Sequence, residues 1–232
     1  MSDLIVYFPA DDLDSSIAAA TKRALMDLSN LHIPCPGFTD TSDGSGYLNF
    51  PDIGVDFRTV TVSGNTMPLY PQVFTDSGMV ARMRVDPADV GNPLTVSAYS
   101  RYSTYIVGNL DDLPFDLFTW VGDPAGADKR ERSVPIMIPV IRDSFLVRQS
   151  ARGEYVRTHG YFCIYGGANQ GGISNVKSET SKLYRAIKTH GNLFTTNGLT
   201  QMLVEPPKYQ TYTKDSVLYE GVIPFSCMAR IS

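Results

Sequence analysis

The sequence predicts an α+β fold: a mainly antiparallel sheet with two helices packed on one side, plus further β-rich chain. Three observations lead there. Thirteen Tyr, eleven Phe, nineteen Gly and fifteen Pro among 232 residues favour strands and turns over a helical bundle. Two stretches, 13–31 and 174–190, carry apolar residues at helical spacing, and several short runs alternate as strands do. With 43% apolar and 19% charged residues, the chain has the composition of a folded domain and is long enough to bury a core.

Residues 4–8 form a short apolar run before Pro9, an arm or an edge strand. A helix is expected from Asp14 or Ser15, whose side-chain oxygens suit its start, with Asp11, Asp12 and Asp14 near its positive end. Leu13, Ile17, Ala20, Ala24, Leu28 and Leu31 make one apolar stripe for the sheet, and Pro34 and Pro36 are expected to end the helix. Residues 38–46, FTDTSDGSG, read as a solvated loop. Strand-like runs follow at 55–62, 78–85, 94–99 and 104–107, divided by turns near 63–65, 86–87 and 91–93. MVARMRV has the period of two expected where one face meets a core. Residues 113–121 add an apolar segment holding Trp120, the one tryptophan, before the polar link GDPAGADKRER.

Residues 134–147 and 155–165 read as two long strands, the second ended by Gly166, Gly167, Gly171 and Gly172. Val176, Leu183, Ala186 and Ile187 mark the second helix, and His190 and Gly191 its end, the glycine expected to turn left-handed. Residues 199–204 form a strand interrupted by Pro206 and Pro207. Residues 217–231 form the last strand, in which Gly221 and Pro224 suggest a bulge or an edge position.

Composition and motifs narrow the function. A net charge of −4 argues against a protein whose main affinity is for phosphate backbones. No apolar run is long enough for a membrane span, and the start lacks a secretory signal pattern, so synthesis in the cytoplasm is expected. Cys35, Cys163 and Cys227 are too few and scattered for a disulfide scaffold or a zinc site, although Cys163 and Cys227, in two strands of one sheet, could bridge if neighbours. His32, His159 and His190 fit no metal motif. GGANQGG beside a helix start lacks the lysine of a phosphate loop, and no Gly-x-Ser-x-Gly elbow is present. Asp11, Asp12 and Asp14, and Asp111, Asp112 and Asp116, read as solvated faces. No catalytic residue, cofactor or metal site is therefore expected. The segment VEPPKYQTYTKDS does invite a partner: Pro206, Pro207, Lys208, Tyr209, Tyr212 and Lys214 set aromatic and basic side chains on a stiffened loop.

The order of the C-terminal third, with GEYVRTHGYFCIY, the helix over 174–190, VEPPKYQ and VLYEGVIPFSCMAR, resembles the lambda-type tail-terminator proteins of tailed bacteriophages. In that family an N-terminal helix leads almost directly into a strand hairpin, so the resemblance implies a core of residues 1–46 and 133–232 with an inserted β-rich domain, 47–132. Because closure entropy grows only slowly with loop length, removing that insertion is expected to leave the core folded. It further implies a virion structural protein, not an enzyme. Such a protein is made in the host cytoplasm and placed at the head-proximal end of the tail. There it forms a homohexameric ring that caps the tail tube protein and joins a neck or connector protein, with a tail sheath as a further neighbour. DNA would pass only in transit through the lumen, and no membrane is involved. Another neck, tail or capsid-decorating subunit is the alternative, and a peptide- or glycan-binding module would use the aromatic-rich insertion.

Overall fold

The structure, a computed structural model, describes residues 8–52, 54–63, 73–75, 78–107, 135–150, 153–214 and 216–231. The run 4–7, the segment 113–121 with Trp120, the acidic group Asp111, Asp112 and Asp116, and the link 122–132 lie outside the described residues.

In chain order the elements are α1 (Leu13–Met26), β1 (His32–Cys35), β2 (Phe38–Thr41), β3 (Tyr47–Asn49), β4 (Val73–Thr75), β5 (Gly78–Val80), β6 (Arg82–Arg84), β7 (Pro93–Val96), β8 (Tyr99–Tyr102) and β9 (Tyr105–Ile106). Then come β10 (Ile136–Ser150), β11 (Gly153–Gly166), α2 (Gly172–Thr189), the short α3 (Asn192–Thr196), β12 (Thr200–Val204), β13 (Lys208–Thr213) and β14 (Val217–Ile231). The fold is α+β. Its central six-stranded sheet runs β12-β14-β11-β10-β9, with β13 also on β14. Every pairing in it is antiparallel except the two-residue contact of β9 with β10.

Both long helices cover one face of this sheet. The stripe Ile17, Ala20, Ala24, Leu28 and Leu31 is buried together with Val176, Leu183, Ala186 and Ile187, against Met137, Phe162, Ile164, Ile223 and Phe225. Alternation along β11 decides which residues go there: Val156, Thr158, Phe162 and Ile164 are buried, while Tyr155, Arg157, His159 and Tyr161 are half-exposed on the opposite side.

Several expectations need correcting. α1 stops at Met26 rather than running to the prolines, and it starts after Asp12 without a side-chain cap. A 3-10 turn, Ser29–Leu31, carries the stripe onward, and Pro34 lies in β1, paired with β8. The 38–46 loop contains β2, which pairs β7. Within 55–62 the chain makes a 3-10 turn, Phe57–Thr59, because the Asp56 carboxylate accepts from the Arg58 amide and so competes with strand pairing. Gly191 has φ −57°, and the chain turns instead into α3. The run MVARMRV alternates as read, with Ala81, Met83 and Val85 buried.

β14 is neither an edge nor bulged against β11, which it pairs from Glu154↔Ile231 to Gly166↔Tyr219 without a shift. Gly221 serves helix packing: a Cβ there would lie 2.1 Å from Thr180 Oγ1 of α2. Pro224 costs no ladder bond, because its carbonyl already faces Glu205 N–H at 2.9 Å, and a strand residue's N and O point to the same side. Its missing donor thus meets the break at Pro206 and Pro207, where β12 ends at Val204↔Phe225 and β13 begins at Lys208↔Val222. The bulge belongs to β12, whose register shifts between Thr200 and Leu203 around Gln201 at φ 51°.

A second apolar cluster gathers Cys35, Leu48, Phe50, Val55, Met83, Val85, Leu94, Val96 and Tyr99. Phe50 meets Phe38, Phe57 and Tyr99 edge-on. This unit does not begin at residue 47. β1 and β2 come from before it, while Tyr102 and Ile106, from within 47–132, belong to the main core, and β9 pairs β10. Polar contacts lock the junction. Arg58 reaches Asp27 and the Met26 carbonyl, the Ser103 amide donates to the Leu31 carbonyl at 2.7 Å, and Ser103 Oγ donates to Glu179 at 2.6 Å.

Candidate functional site

The stiffened loop read from sequence becomes partly a strand. Pro206 and Pro207 remain irregular, but Lys208–Thr213 forms β13 along β14. Pairing to β14 then decides where the side chains go. Tyr209 sits opposite Gly221 on the helix-covered face, with Lys177 of α2 over its ring at 5.6 Å. Tyr212 sits opposite Leu218 on the other face, its hydroxyl 2.6 Å from the Glu220 carboxylate. Lys208, opposite Val222, shares that second face, and Lys214 lies in the bend before β14. The six residues therefore do not form one surface. Tyr209 and Tyr212 point to opposite sides of the sheet.

The second face changes character along its length. At one end Ile136, Ile138, Cys163, Val222 and Glu220 are buried. There the Tyr212 hydroxyl, held first by its hydrogen bond to Glu220, is pushed up to about 12. The Cys163 thiol is pushed up to about 12 by burial and by the Glu220 charge. Cys163 and Cys227 are both free and buried, and their pairing partners, Val222 and Thr158, place them on opposite faces, so no bridge joins them.

At the other end the face is open. Arg142, Asp143 and Phe145 of β10, Tyr155, Arg157, His159 and Tyr161 of β11, and Ser226, Met228 and Arg230 of β14 project from it. Asp143 lies 3.0 Å from His159 Nδ1 and 3.5 Å from Arg142 Nε, and Arg142 also donates to the Tyr161 hydroxyl at 3.2 Å. The Phe145 ring meets the His159 ring edge-on, and Arg230 lies over Tyr155 at 5.7 Å. A groove of ≈ 450 Å³ runs between Arg142, His159 and Tyr161 on one side and Leu203, Glu205 and Lys208 on the other.

Asp143, His159 and Ser226 occupy one cross-strand row, an order of residue types that hydrolases use. The arrangement lacks both links of a relay: Asp143 Oδ1 lies 3.0 Å from His159 Nδ1 without forming a hydrogen bond, and the described hydrogen bonds include none from Ser226 to His159. His32 instead joins the Arg58 cluster through Asp56, and His190 ends α2. Among the described residues no three His, Cys, Asp or Glu gather as a metal ion requires, and no helix is long and apolar enough to cross a membrane. GGANQGG forms a 3-10 turn whose Gln170 side chain accepts from the Gly167 amide, so the loop bonds to itself.

Arg142, Arg157, Tyr161 and Arg230 were not among the residues expected at a site, and His159 was read only as fitting no metal motif. A usable signal was present: Tyr155, Arg157, His159 and Tyr161 recur at every second position, opposite in phase to the apolar set. No family model matches this chain, and no curated protein matches it in sequence.

Proposed function

We propose that the chain is a structural subunit of a tailed-phage virion, a tail terminator that forms a homohexameric ring at the head-proximal end of the tail. The ring caps the tail tube and offers a seat to the neck, with DNA passing through its lumen. An N-terminal helix, a long β10–β11 hairpin, α2, and the closing strands β12 and β14 follow in the order the tail-terminator resemblance implies, with both long helices on one face.

The observation that carries the reading is the edge of β10. β9 covers only Ile136 and Met137, and no other strand among the described residues pairs that edge over residues 138–150. Phe145, Leu146 and Val147 are exposed there, at 47%, 53% and 47%. Pro139, Arg142, Asp143 and two register shifts limit uncontrolled pairing along β10, while a rotationally repeated contact that closes uses each edge once and leaves none for lateral growth. Growth of the tube then stops for a geometric reason.

Adding the purified protein to assembling tube protein tests this. Tube lengths in electron micrographs should shorten as its concentration rises, with six-fold caps at one end. A variant carrying Leu146→Lys and Val147→Lys should leave lengths unchanged. Equal lengths with and without the unaltered protein would remove the reading.

A further inference from the structure

We propose that the open half of the second sheet face binds nucleic acid, engaging a single strand through a row of aromatic rings flanked by cations. The proposal goes beyond the terminator reading and does not rest on it.

Along β11 the exposed set runs Tyr155, Arg157, His159, Tyr161, one side chain every second residue, so three rings and a guanidinium follow one another at about 6.8 Å. The neighbouring strands extend the field sideways, with Arg142 and Phe145 on β10, Arg230 on β14 and Lys208 on β13. Carboxylates on this face are Asp143, held between Arg142 and His159, and Glu205 at the groove's far side. The face is thus cationic on a chain whose net charge is −4, which concentrates the positive field in one place. The backbone is fixed on its other side by the helix-packed core, so the platform is rigid, and rigid rings beside guanidinium groups suit stacked bases and phosphates together. A purely apolar partner would desolvate these charges without compensation from its own groups. The ligand the chemistry selects is a flexible polyanion with flat rings.

The test is fluorescence anisotropy with a labelled oligothymidine of about 15 nucleotides and the full-length protein. Binding is expected at about 50 mM salt and should fall steeply by about 200 mM. Combining Arg142→Gln, Arg157→Gln and Lys208→Gln should weaken it at least about tenfold and flatten the salt dependence. Tyr155→Ala and Tyr161→Ala should each weaken it by roughly tenfold at fixed salt. Arg142 is 66% exposed, so Arg142→Gln alone provides a variant whose fold is not at stake. Absence of binding at low salt would overturn the proposal. So would polyglutamate competing as well as oligothymidine, which would point to an acidic protein surface. Equal affinity for a duplex of the same length, with no effect of the tyrosine substitutions, would overturn the single-strand mode.

Discussion

The missing side chain at Gly221 sets how closely α2 lies on the sheet. A methyl group there would meet Thr180 Oγ1 at 2.1 Å and Thr180 Cβ at 3.1 Å, inside a helix that is itself fully packed. Gly221→Ala should therefore destabilise by about 1–3 kcal/mol, the usual cost of overpacking, with Thr180→Ala in the same chain restoring part of it. Urea unfolding of the two variants measures this, and an unchanged midpoint for Gly221→Ala would contradict it. In the sequence this glycine reads as a bulge because Thr180 is remote along the chain, and only the tertiary contact reveals its use. The cysteines offer a second test. Burial first, then the Asp52 charge, pushes the Cys35 thiol up to about 11, and burial alone pushes Cys227 up to about 12. Iodoacetamide at pH 8 should thus leave the native protein almost unmodified while labelling all three cysteines in denaturant. Above pH 9 the unfolded thiols ionise before the folded ones, so stability present below that pH is lost as pH rises toward 11–12. Rapid native labelling at pH 8 would show these sites to be open.

β13 is the element that the sequence conceals most. Every residue of Lys208–Thr213 is exposed, so no buried–exposed alternation exists to read, and Pro206 and Pro207 dominate the segment's signal. Its pairing with β14 gives its two tyrosines different fates. Tyr212 stands 2.6 Å from the buried Glu220 carboxylate and 2.8 Å from Gln210 Oε1, and the carboxylate, being charged, is the stronger acceptor for the one hydroxyl hydrogen. Tyr212→Phe should cost about 1–2 kcal/mol by leaving a buried acceptor short of a donor, whereas Tyr209→Ala should cost less than about 0.5 kcal/mol. Equal thermal shifts for the two would contradict the opposite-face assignment. Elements with a buried face were more legible. The alternation of β11 and the helical stripes were visible, and β14 was bounded correctly. Yet the end of α1 was missed, because Leu28 and Leu31 stay buried through a 3-10 turn whose spacing continues the helical one. The open cationic face was missed for a related reason: it draws on three adjacent strands and β13, and residues opposite in register are distant in sequence.

At the scale of the molecule, an insertion bounded at 47 and 132 gives way to two units that share strands and core. Joining Gly46 to Arg132 by a short linker would strip β1 and β2 of their partners β8 and β7 and remove Tyr102 and Ile106 from the main core. That protein should lose its cooperative melt and aggregate, reversing the expectation from loop tolerance alone. A single sharp transition at the denaturant midpoint of the full chain would show the units to be independent. On the proposed function, copies joined around an axis through the β10 edge, which no strand among the described residues pairs beyond Met137 on that side, close into a ring that a tube accepts on one side and cannot extend beyond. The most direct measurement is electron microscopy of lysates from a phage in which this gene is disabled. Tails of uncontrolled length, unattached to filled heads, are the predicted result. Tails of normal length joined to full heads would contradict it.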